Sequence, residues 1–91
     1  MKRCYIIVFD LKAPLLNKNS VIEGIHSAKT WAKISDNVYI ISTVLSAEQI
    51  RDALLKLLYQ NDKIYVTLLG NTSAWYGLDQ DVSDWIRKQQ K

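Results

Sequence analysis

Residues 5 to 9 read Tyr-Ile-Ile-Val-Phe without a polar break, and Asp10 follows at once. A β-strand points successive side chains to opposite faces, so a run apolar at every position is apolar on both sides. Such a strand belongs at the centre of a sheet with cover above and below. Pro14, which lacks an N–H to donate, ends regular pairing soon afterwards.

The rest of the chain supplies partners for that strand. "NSVIEGIHSA" spaces Ser20 and Glu23 as a capping box and predicts a short helix from about Val21, with Val21, Ile22 and Ile25 as its apolar stripe. "KTWAKI" and "NVYIIST" read as strands joined at "SDN", a turn sequence, and so form a hairpin. "SAEQIRDALLKLLYQ" has a second capping box at Ser46 and Gln49, with Ile50, Leu54, Leu57 and Leu58 at helical spacing. Asn61 and Asp62 stop it. "KIYVTLL" is a further strand, and "GNTSAWYG" is a loop in which Trp75 and Tyr76 are expected to anchor on the core. "DQDVSDWIRKQQK" closes the chain with an acidic start and a basic end, as suits a helix dipole.

This order predicts an α+β fold, a ferredoxin-like β-α-β-β-α-β sandwich with an added C-terminal helix. The 91 residues, 1–91, make one such domain and leave no material for a second core. Strands one and three are expected at the centre. A lone cysteine, Cys4, excludes an internal disulfide and suits a cytoplasmic setting. Its place inside the first strand predicts a buried, inert thiol. No apolar stretch nears the ~20 residues of a membrane span, and no cleavable export signal is recognisable.

Strand alternation sorts the apolar residues into two sets. Ile6, Val8, Val38, Ile40, Ile64, Val66 and Leu68 make an aliphatic set assigned to the helices. Tyr5, Ile7, Phe9, Tyr39, Ile41 and Tyr65, with Thr67, make an aromatic set assigned to the opposite face. A ferredoxin-like sheet leaves that face bare, and this one is too greasy for a soluble monomer. A second copy, stacked nucleic-acid bases or the C-terminal segment would each cover it. The isoleucines and the absence of an RNA-recognition aromatic motif favour protein contact, by a second copy or by the C-terminal segment, and the set is assigned to a homodimer interface.

Chemistry is sparse. The net charge of +3 is uneven: residues 1 to 33 carry +4 and the remainder −1. Lys12, Lys18, Lys29 and Lys33 in that first third offer a track for DNA or RNA, or else a solvated surface. His26 is the single histidine and reads as a solvent-facing helix residue. No phosphate-binding glycine loop, paired CxxC, HExxH or GxSxG occurs.

"YIIVFDL", "TWAKISDNVYIIST", "LSAEQIRDAL", "NDKIYVTLLGNTSAW" and the late "DWI" together resemble a group of short bacterial and phage proteins labelled SinR-family. More distantly, a first strand ending in Asp is similar to the small ferredoxin-like protein of CRISPR adaptation and to VapD-like toxin ribonucleases. That resemblance implies a homodimer in a nucleic-acid context. It also implies Asp10 as the catalytic and metal-holding residue of a nuclease, one from each subunit, with Mg²⁺ as the ion. The arginine-rich helix and the "QYSVF"-like run of the CRISPR proteins are missing here. Three expectations result: a cytoplasmic homodimeric binding or scaffold protein, a metal-dependent nuclease, or a small-molecule sensor needing no cofactor.

Overall fold

A computed structural model describes residues 1–90 and holds seven elements in the expected order. They are β1 (Arg3–Asp10), α1 (Pro14–His26), β2 (Thr30–Ser35), β3 (Val38–Thr43), α2 (Ala47–Leu55), β4 (Lys63–Leu68) and α3 (Gln80–Gln89). The strands form one antiparallel sheet in the order β2-β3-β1-β4, so β3 and β1 lie inside, as the apolar runs imply. The result is a small α+β fold.

Local chemistry explains most element ends. At α2 both halves of the capping box form: Gln49 N–H donates to Ser46 Oγ at 3.1 Å, and Ser46 N–H donates to Gln49 Oε1 at 2.9 Å. α2 ends at Leu55, earlier than the heptad-like spacing of leucines suggests. Leu57 and Leu58 still pack on the core from the connector that follows. Asn61 in that connector takes a left-handed φ of +74°, which Asn tolerates better than most residues.

α1 departs from the sequence expectation. It starts at Pro14, one full turn and more before Val21, so Ser20 and Glu23 lie inside the helix and form no cap. Proline at the first helical position loses no hydrogen bond and has its φ already set. Pro14 thus follows the end of strand pairing, as expected, and also begins the helix. Gly24 lets α1 and α2 cross closely, because a Cβ there would lie 2.9 Å from Leu54 Cδ2 and 3.0 Å from Leu57 Cδ1.

The assignment of sheet faces is reversed on β1 and β3, while on β4 Ile64 and Val66 pack on the helix-side core as expected. Tyr5, Ile7, Phe9, Tyr39 and Ile41 are buried in the core with Val21 and Ile25 of α1 and Ile50 and Leu54 of α2. The register shows why. Tyr5 is opposite Leu68, Ile7 opposite Val66, and Phe9 opposite Ile64, so the aliphatic residues of β4 share a face with the aromatic residues of β1. Ile7 has 0% of its surface exposed, whereas its neighbour Val8 keeps 37%. Filling the space beneath two helices takes volume, and Tyr and Phe supply it. Of the expected open set, Tyr65 and Thr67 face away from α1 and α2, opposite Val8 and Ile6.

The second face is not bare either. α3 packs there over β2 and β3: Ile86 is buried, as are Ala32 and Ile40. Trp85 Nε1–H donates to Thr30 Oγ1 at 2.6 Å. α3 also holds the preceding loop, where Trp75 Nε1–H donates to Ser83 Oγ at 3.0 Å and Arg87 lies over the Trp75 ring at 5.6 Å. Trp75 is therefore an anchor, onto α3, while Tyr76 stands 99% exposed.

Candidate functional site

Asp10 ends β1 on the second face, exposed and opposite Lys63 of β4. It lines a shallow hollow with Leu11, Lys12, Asn61, Asp62 and Lys63. Asp62 is the other carboxylate there, and it is already engaged. It accepts Lys12 N–H at 2.8 Å, Tyr59 N–H at 2.8 Å and Asn17 Nδ2–H at 2.9 Å. Those donors, the two backbone N–H groups first, hold its carboxyl below the usual range. Asn17 also donates to Leu57 O at 2.9 Å, while its buried Oδ1 meets no donor. Asp62 and Asn17 thus clasp the α2–β4 connector to the start of α1. The sequence shows Asp62 as a helix stop and not this role, because two of its three partners lie 45 and 50 residues away along the chain.

Within one chain Asp62 is spent on N–H donors, and Lys63 lies opposite Asp10 across the ladder, so Asp10 is the carboxylate of this hollow left to meet a cation.

The four lysines are not gathered. Lys12 precedes α1 and Lys29 follows it, ends separated by a 13-residue helix, or ~20 Å at 1.5 Å per residue. Lys18 is half-buried along α1, and Lys33 on the edge strand meets Asp36 at 3.4 Å. His26, at the C-terminal end of α1, is exposed yet occupied: its ring stacks on Trp31 at 3.8 Å and 9°, with Tyr39 edge-on at 5.8 Å. Cys4 is half-buried, and burial raises its thiol pKa while a hydrogen bond with Ser42 partly offsets that. A raised pKa works against the thiolate form that nucleophilic chemistry needs.

Two hollows flank the N-terminal end of β1, one on each face of the sheet. The first, of about 340 Å³, opens between the C-terminal end of α1, α2 and the end of β3. Its walls are Ile7, Ile25, Ile41, Ile50 and Leu54, and its charged lining residues are Lys2 and Lys29. The second, of about 330 Å³, lies between the sheet and α3 and is more polar, with Arg3, Asn71 and Gln89 among its walls. Lys2 borders both.

The part of the second face that α3 leaves uncovered is a separate feature. Val8 and Tyr65 sit opposite each other there, with Ile6, Val38 and Thr67 half-buried around them and Asp10 and Lys63 at one end. The chain matches no protein-family profile, no curated protein and no solved structure. No helix of the described residues is long and apolar enough to cross a membrane.

Proposed function

We propose that the chain is a ferredoxin-like binding or scaffold module that works as a homodimer. Its two copies meet through the area of the second face beyond α3. The order β2-β3-β1-β4, with a helix after β1 and another after β3, is the order that two interlocked β-α-β units generate. The observation that carries the dimer is the Val8–Tyr65 pair, two apolar side chains facing each other across β1 and β4 while 37% and 65% exposed. An apolar centre with Asp10 and Lys63 at its rim has the composition of a protein interface.

The scattered lysines add nothing specific to a nucleic-acid role.

Sedimentation velocity tests the proposal. The unmodified chain should run as a dimer, and Tyr65→Asp as a monomer that keeps the far-UV circular dichroism of the unmodified chain. An unmodified chain that stays monomeric into the millimolar range refutes it. One placement favours a second reading: Asp10 shares this face, so a two-fold axis near it would bring two carboxylates together in a nuclease. Mg²⁺-dependent cleavage of nucleic acid that disappears in Asp10→Ala supports that version. Cleavage that persists in the variant belongs to a contaminant.

A further inference from the structure

We infer that the hollow between α1, α2 and the end of β3 binds a small aliphatic molecule with a carboxylate head. The volume of about 340 Å³ falls in the range of small-molecule sites, which are concave and mostly apolar with few polar groups. Its inner wall is the core itself, the buried faces of Ile7, Ile25, Ile41, Ile50 and Leu54. No aromatic ring lines it, so nothing offers a planar ligand a stacking surface, and a flexible alkyl chain suits it better.

The entrance is chemically one-sided. Lys2 and Lys29 are the charged groups lining it, both exposed and neither with a carboxylate partner among the described residues. They come from positions far apart in sequence, the first strand's approach and the α1–β2 link. An ammonium is a compact point charge that serves a carboxylate without needing bidentate geometry. Val44 and Leu45, beside the same opening, are 69% and 40% exposed, an apolar lip that an alkyl chain would cover. Gly24 lines the pocket as well and adds no side chain to narrow it. The site is on the helix side of the sheet, opposite the proposed dimer face, so the two proposals stand or fall separately.

Isothermal titration with decanoate, decanol and decyltrimethylammonium, each below its micelle concentration, tests the inference. Decanoate should bind at one site per chain, more tightly than decanol, and the cation not at all. The double variant Lys2→Ala, Lys29→Ala should weaken decanoate about tenfold, the equivalent of ~1.4 kcal/mol, and leave decanol unchanged. Ala53→Phe, which places a ring in the opening from α2, should abolish both. Should that variant fail to fold, amide chemical shifts of Gly24, Ser27 and Thr43 on adding decanoate to the unmodified chain give the same answer. No decanoate binding, equal binding of the three probes, or an unaffected double variant overturns the proposal.

Discussion

The two faces of the sheet are built from the same kind of residue and solved in different ways. On the face toward α1 and α2, Tyr5, Ile7, Phe9, Tyr39 and Ile41 interlock with side chains from both helices and leave almost no surface. On the other, α3 covers the β2–β3 half through Trp85 and Ile86, and the β1–β4 half keeps Val8 and Tyr65 in view. Apolar character alone does not mark a core. What separates Ile7 from Val8, adjacent in one strand, is which layer arrives above them.

The largest contrast should come from those neighbours. Ile7→Ala removes buried methyl groups from the tightest part of the core and should cost about 2–5 kcal/mol in chemical denaturation. Val8→Thr should change monomer stability by no more than ~0.5 kcal/mol, as exposed substitutions usually do. Equal costs at the two positions would erase the distinction between the faces. Next in size, Trp85→Ala should lose about 2 kcal/mol by uncovering Ala32 and Ile40 and leaving Thr30 without its donor. A silent Trp85→Ala would show that α3 contributes no packing on the second face.

A smaller effect concerns the clasp at the far end. The folded-state pKa of Asp62 is lowered, so its contribution is fully present above the unfolded-state pKa of about 3.9. It is lost as pH falls through the lower folded-state value. Asp62→Asn should therefore lower the melting temperature at neutral pH, and the gap to the unmodified chain should close in strong acid. A gap independent of pH would mean that shape at this position matters and charge does not. Thr30→Val should cost about 1 kcal/mol in chemical denaturation, the worth of the single hydrogen bond from Trp85.

Element types and their order were legible because each has a short-range cause. The Ser46–Gln49 box set the start of α2 to the residue, and the turn at Asp36 and Asn37 set the hairpin. The late start expected for α1 also had a local cause: Ser20 and Glu23 have capping-box spacing, but the helix begins at Pro14 and leaves both inside it. The candidate sites were much less legible. Lys29 was singled out, though for a nucleic-acid track, while Lys2, the aliphatic pocket and the Asp62 clasp each depend on segments meeting from distant parts of the chain.

The sequence by itself determined an α+β chain with a both-sides-apolar central strand, two helices between strands and one after them. Only the tertiary structure decided which face was which. Alternation divides each strand into two sets but carries no information on how one strand's sets align with the next. The pairing register supplies that, here by setting Phe9 against Ile64 and Val8 against Tyr65. Long-range pairing and helix placement are properties of the whole packed molecule. The choice between core and open surface is made there.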